Sequence, residues 1–222
     1  MVRLSSLAHV ENWIFDLDNS LYPASANLFD LIDARMAAFI EQKLGCGHVE
    51  ARRLQKHWFH AHGTTLAGLM AEHDVRPPEF LDYVHDVDLA RISADPALVG
   101  ALGRLPGRKF VFTNGDAAYA ARVLERLGLA GAFDGVHDIH AMDYRPKPAP
   151  EAYAGLCAAR AIDPDRALFL DDMARNLAPA KALGMVTVWL DNGSEQGPPL
   201  DAEDFIDHRI EDIGLWLEEV AP

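Results

Sequence analysis

The chain has 222 residues, half of them hydrophobic and 24% charged, with a formal net charge of −14. That charge argues against nucleic acid held on a broad basic surface, although local cations and backbone N–H groups can hold one phosphate in an acidic protein. No apolar run nears the roughly 20 residues that span a bilayer, Met1 to Glu11 lacks a signal peptide's apolar centre, and Cys46 and Cys157 make no CxxC pair or disulfide framework, so a soluble cytoplasmic protein with no membrane partner is expected.

The first strand is Trp13-Ile14-Phe15, which runs into Asp16-Leu17-Asp18-Asn19-Ser20, where turn-prone residues end it. Leu28, Leu31, Ile32, Met36, Phe39 and Ile40 then keep a helical spacing until Gly45 to Gly47 breaks it. Val49 to Ala61 reads as a second helix, Thr65 to His73 as a third, and Pro77-Pro78-Glu79 opens a fourth. Strands resume at Lys109 to Thr113, followed by a helix from Ala117 to Leu127 and a weaker strand over Gly135 to Ile139. Pro150 starts a helix to about Arg160, Ala167 to Leu170 is a strand ending in Asp171-Asp172, and Asn176 to Leu183 is a helix. A strand over Met185 to Leu190, a last one near His208 to Ile210, and a short helix complete the pattern.

Strands alternating with amphipathic helices predict an α/β fold, a Rossmann-like, mostly parallel sheet covered on both faces. A parallel crossover needs little more than a dozen residues, yet Asn19 to Arg108 separates the first two strands. The economical explanation is an all-helical cap inserted over residues 21–94, with residues 1–20 and 95–222 forming the core. Ligands of such sheets sit at the carboxyl ends of the strands, where this insertion would roof the site.

Four places at strand ends or nearby loops offer polar groups: Asp16 and Asp18, Thr113-Asn114-Gly115-Asp116, Lys147 between Pro146 and Pro148, and Asp171-Asp172. Singly, each has a plain reading as a solvated turn, a surface lysine or a helix N-cap. Together they suit phosphoryl transfer, which needs a nucleophile, neutralisation of the phosphoryl oxygens and a proton donor for the leaving group. A carboxylate can be that nucleophile. Carboxylates and a carbonyl oxygen suit Mg²⁺, and a lysine and a threonine hydroxyl can hold the remaining oxygens.

With all four motifs in order, the chain resembles a haloacid dehalogenase superfamily phosphohydrolase with a helical cap. FDLDNSLYP, GTTLAGLM (Gly63 to Met70), FTNGD and RPKPAPEAY (Arg145 to Tyr153) are similar to its pyrimidine 5′-nucleotidase-like branch. Departures are Ser20 where threonine is usual and His62 where tyrosine is common. The resemblance implies Asp16 as nucleophile and Asp18 as general acid/base, its backbone carbonyl on Mg²⁺. It implies that Thr113 and the Asn114 amide bind the phosphoryl group, that Lys147 neutralises nucleophile and phosphate, and that Asp172, with Asp16 and Asp18, holds the metal. Asp171 would be a further metal-site or water-holding carboxylate, and Asn176 would brace its loop. The substrate implied is a small phosphorylated molecule, a pyrimidine nucleoside 5′-monophosphate first. A sugar phosphate or a phosphomutase reaction is the alternative.

Outside the enzymes, a phosphoacceptor receiver or a silent binding module would use similar groups. A receiver, however, places its acidic pair and accepting aspartate on different strands, without a large insertion. A dehalogenase would not need Asp18 or the Asp171-Asp172 pair. His57, His60 and His62 lack a cysteine or well-spaced carboxylate to complete a zinc site, so an ordinary cap face is expected there. Substrate contacts in the cap are sought at His60, His62, Gly63, Thr64 and Thr65. Phe29, Met36 and Trp58 read as cap core, and Trp189 and Trp216 as packing. Oligomeric state is not legible.

Overall fold

Six short apolar runs form one parallel sheet in a computed structural model that describes residues 7–194 and 204–221. The strands are β1 (Asn12–Phe15), β2 (Arg108–Phe112), β3 (Gly135–His137), β4 (Ala167–Asp171), β5 (Val186–Leu190) and β6 (His208–Ile210). Their order across the sheet is β3-β2-β1-β4-β5-β6. The two central strands, β1 and β4, are buried at every position, as expected of strands covered on both faces. Asn12 pairs with Arg108 on one side and with Ala167 on the other, so the ends of β1, β2 and β4 lie side by side. The chain steps outward from β1 through β2 to β3, then returns to the far side of β1 as β4. That reversal opens a crevice at the carboxyl ends of these strands.

Four helices fill the connection from β1 towards β2: α1 (Leu28–Leu44), α2 (His48–His62), α3 (Thr65–His73) and α4 (Pro77–Val84). Each stop and start has a local cause. Gly45 ends α1 at φ +63°, a backbone conformation that glycine adopts without strain. Thr64 caps α3 by accepting the Ala67 N–H, and prolines occupy the first turn of α4. α1 packs against α2 and α4, and α2 against α3. Gly68 permits the α2–α3 approach: a β-carbon there would stand 2.2 Å from Cγ of the buried Trp58.

A fifth helix, α5 (Pro96–Arg104), follows before β2 and packs on α9 (Ile213–Val220). The elements read from the sequence do not include α5. Its start was nonetheless written in Asp95-Pro96, where Asp95 Oδ1 accepts the Ala97 and Leu98 N–H groups. The remaining helices, α6 (Ala117–Arg126), α7 (Pro150–Arg160) and α8 (Leu177–Ala182), accompany the outer strands. Among the described residues, no helix is long and apolar enough to cross a membrane.

Candidate active site

The end of β1 delivers Asp16 into the crevice, its N–H bonded to Leu170 O of β4 at 2.9 Å. Leu17 O then accepts the N–H groups of Ser20 and Leu21, which turns the chain back. The Ser20 hydroxyl donates to Asp16 Oδ2 at 3.2 Å. On the other oxygen, Lys147 Nζ donates to Asp16 Oδ1 at 2.6 Å. The same ammonium donates to Asp171 Oδ2 at 2.7 Å and to Phe112 O at 2.9 Å, so all three of its protons are placed. Burial alone would depress the Lys147 ammonium, but Asp16 and Asp171 hold it above its ordinary range.

Lys147 is held from behind by the β2 loop. Asn114 Oδ1 accepts the Lys147 N–H at 2.8 Å, and Asn114 Nδ2 donates to Lys147 O at 3.2 Å. The Asn114 side chain is therefore committed to the lysine's main chain. Thr113 is buried beside it, its hydroxyl accepting the Gly115 N–H at 3.0 Å.

Asp171 closes β4 and is fully occupied: Asn176 Nδ2 donates to both carboxylate oxygens at 3.0 Å, and the Met173 N–H to Oδ1 at 2.8 Å. Tyr153 secures Asn176 in turn, its hydroxyl donating to Asn176 O at 2.6 Å. Asp172 is buried and, among the described residues, forms no ion pair. Burial first, then the charges of Asp171 and Asp16, pushes its carboxyl well above the ordinary range. Trp189, read from the sequence as packing, steadies this turn by donating Nε1–H to Asp172 O at 2.9 Å.

Carboxylate oxygens of Asp16, Asp171 and Asp172 can all lie within 4.8 Å of one another. With all three carboxylates ionised, the Lys147 ammonium, the one cation paired with them among the described residues, would leave two negative charges uncompensated. Burial, chiefly, raises Asp16 to about 7; Lys147 pulls against this while Asp171 and Asp18 add to it. A buried, all-oxygen donor set short of two positive charges fits a hard divalent cation such as Mg²⁺.

Asp18 stands half-buried beside this cluster. Its Oδ1 accepts two phenols, Tyr22 at 2.7 Å and Tyr119 at 2.8 Å. Burial first, and then the Asp18 charge, hold both phenols above their ordinary range, so they remain protonated donors.

A cavity of about 520 Å³ opens over the strand ends, with Thr113, Asn114, Lys147, Asp171 and Asp172 in its floor beside Asp16 and Asp18. The helical insertion supplies the opposite wall: Phe29, Met36, Phe59, Phe80, His60, Thr64 and Thr65, with a polar group of Asp33, Arg52 and Gln55. Gln55 Nε2 donates to Asp33 Oδ1 at 2.6 Å, and Gln55 Oε1 accepts from Arg52 at 3.1 Å. Trp58 is core, as its sequence context indicates, whereas Phe29 and Met36 face the cavity. His62 lies elsewhere, bonded to Glu72 at 3.1 Å. Gly63 abuts the Lys147 loop instead of the cavity, and its carbonyl accepts from Arg175, whose guanidinium lies 4.0 Å over the Phe59 ring. Sequence reasoning passed over Tyr22, Tyr119, Gln55 and His85. Of these, Tyr22 alone carried a signal, at four residues from Asp18 in the turn after the first strand.

Residues 12–184 match the haloacid dehalogenase-like hydrolase family over most of the chain. The chain belongs to that family. It is similar to phosphate metabolism protein 8 of Saccharomyces cerevisiae, with 26% identity over 78% of this chain, and it spans 59% of the yeast protein's length. With the phosphoglycolate phosphatase of Rhodospirillum rubrum it shares 29% identity over 83% of this chain and 81% of the other. A phosphatase of the family from Thermococcus onnurineus has the same fold, with a TM-score of 0.63 at 19% identity over 95% of this chain and 96% of that one. Solved L-2-haloacid dehalogenases share the fold as well.

Proposed function

We propose that this hydrolase is a Mg²⁺-dependent phosphomonoesterase that works through an aspartyl phosphate, with pyrimidine nucleoside 5′-monophosphates as its leading substrate class. The observation that carries the reading is the buried cluster of Asp16, Asp171 and Asp172 around Lys147, short of two positive charges at the floor of a cavity. Asp16, Asp172 and the Asp18 main-chain carbonyl would hold the cation. When bound, Mg²⁺ supplies electrostatic neutralisation where an anionic ester meets an anionic nucleophile.

The chain's own groups divide the remaining work. Lys147 holds Asp16 ready and neutralises charge gathering on the phosphoryl oxygens. The Thr113 hydroxyl takes one of those oxygens, and with the Asn114 side chain engaged by Lys147, the Asn114 contribution comes from its backbone amide. Asp16 attacks phosphorus, Asp18 protonates the leaving oxygen, and Asp18 then takes a proton from the water that cleaves the phosphoenzyme. Residues 21–94 serve as a cap over a core of residues 1–20 and 95–222, and cap closure excludes bulk water during the reaction. Cys46 and Cys157 are free thiols, which suits a reducing cytoplasm.

Substrate size supports the nucleotide. A two-carbon phosphate ester would leave much of a 520 Å³ cavity unfilled, whereas a nucleoside has an apolar-faced ring for Phe29, Met36 and Phe59 and a polar edge for Gln55 and its neighbours. The relatives named phosphoglycolate phosphatases make small phosphorylated acids the comparison set. The test is phosphate release with Mg²⁺ over nucleotides, sugar phosphates and short phosphorylated acids, with Asp16→Asn as control. Release from pyrimidine nucleotides that vanishes in Asp16→Asn is expected. Release that persists in Asp16→Asn, or none from any ester, would overturn the reading. A preference for phosphoglycolate would overturn the substrate class alone.

A further inference from the structure

Asp18 is gripped by two residues far apart in the sequence. Tyr22 lies four residues on, where the chain leaves β1 for the helical insertion, and Tyr119 lies in the first turn of α6. Both hydroxyls donate to the same oxygen, Oδ1, at 2.7 and 2.8 Å. A half-exposed aspartate ordinarily turns about its side-chain torsions and offers either oxygen to a proton. Two phenols on Oδ1 fix the carboxyl plane and leave Oδ2, which among the described residues has no protein hydrogen bond, as the oxygen that can carry a proton.

Tyr119 is itself held at its backbone and at its ring. Its N–H is capped by Asp116 Oδ1 at 2.8 Å, and its ring lies flat against His85, with centroids 4.3 Å apart and planes 11° from parallel. His85, just past α4, donates from Nδ1 to Asp116 Oδ2 at 2.5 Å. One carboxylate thus anchors both the helix start that carries Tyr119 and the ring that packs on it. The His85 carbonyl accepts from Arg122 of α6 at 3.0 Å, which ties the far end of the helical insertion to the same helix. The grip on Asp18 therefore draws on α6 and, through Tyr22 and His85, on both ends of the helical insertion.

We propose that Tyr22 and Tyr119 are positioning residues for Asp18, which hold its carboxyl so that Oδ2 faces the leaving oxygen, with His85 and Asp116 bracing Tyr119. The inference rests on the phosphomonoesterase reading. In the first step an Asp16 oxygen bonds to phosphorus as the ester P–O bond breaks, and the departing oxygen keeps that electron pair and takes the Asp18 proton. In the second, water oxygen bonds to phosphorus and returns a proton to Asp18. The Asp16–phosphorus bond breaks, releasing phosphate and restoring the Asp16 carboxylate.

The experiment compares kcat/KM, which reports the first step, for two esters in Tyr22→Phe, Tyr119→Phe and the double variant. One ester is p-nitrophenyl phosphate, whose leaving group departs without needing a proton. The other is the alkyl phosphate on which the wild-type chain is most active. Each phenol should matter by about ten-fold on the alkyl ester, a fraction of what a general acid contributes, and by less than about two-fold on the aryl ester. A merely structural role would lower both esters by the same factor, and that result, or no change on either, overturns the inference. Should Tyr119→Phe fail to fold, Tyr22→Phe decides alone, since it leaves α6 untouched. A wild-type chain that releases phosphate from neither ester would instead overturn the parent reading.

Discussion

Lys147 directs its whole ammonium group inward, to Asp16, Asp171 and the Phe112 carbonyl, from a side chain that is 1% exposed. Removing one partner of a buried charge cluster costs about 3–5 kcal/mol because the others are left unpaired. Lys147→Met should therefore lower unfolding free energy by about that amount in denaturant titrations, and added Mg²⁺ should recover part of it, along with abolishing none of the activity loss. Asp18→Asn keeps the shape of the side chain but cannot carry the proton, and turnover should fall by roughly 10²–10⁴-fold in steady-state assays. The positions of Asp16, Asp18, Thr113 and Lys147 were legible because each follows an apolar strand or sits in a proline-marked loop. What those residues touch was not. The Asn114 side chain turns from the crevice to the Lys147 main chain, and Tyr119 reaches Asp18 across 101 positions. Pairings of that separation are set by how helices lie on the sheet, which local spacing does not encode.

Among the elements, the α2–α3 contact depends on one missing side chain. Trp58 is fully buried and its ring stands where a β-carbon of residue 68 would be. Gly68→Ala must push the two helices apart, at a cost of about 1–3 kcal/mol. The melting temperature should fall by roughly 2–4 °C for each of those kcal/mol, a shift readable by calorimetry. Because His60 and Thr64 line the cavity from these same helices, KM should rise, and on the proposed reading the response to Mg²⁺ should be unchanged. α3 and α4 were legible to within a residue or two, the one capped by Thr64 and the other opened by prolines. α5 is absent from the elements read from the sequence, although Asp95-Pro96 opens it and Leu98, Ala101 and Leu102 keep a helical face. Phe29 and Met36 share a helical stripe with core residues, so periodicity alone assigns them to the core, and only the fold separates cavity wall from packing.

For the molecule as a whole, the acidic floor couples stability to pH. Asp16 titrates near 7 in the fold, above its ordinary value of 3.8. The folded chain thus binds that proton more tightly than the unfolded chain does. The stability so gained is full below 3.8 and is lost as pH rises through about 7. On the proposed reading, a divalent cation would bind the ionised cluster and oppose that loss. Mg²⁺ should therefore raise the melting temperature more at about pH 8 than at about pH 5, and its apparent affinity in calorimetric titration should weaken as pH falls through about 7. The parallel sheet and its helical insertion were legible from alternation and from one over-long connection. The strand order carries a further consequence, for how the chain acquires its shape. β1 lies between β2 and β4, so Asn12 must meet Arg108 and then Ala167. Contacts of such high sequence separation form slowly, whereas α1 to α4 meet neighbours close in the chain. During synthesis the helical insertion can collapse early, while β1 waits for β2 and β4 to emerge. The segment bearing Asp16 is thus translated before both of its partner strands and locked into place only after them.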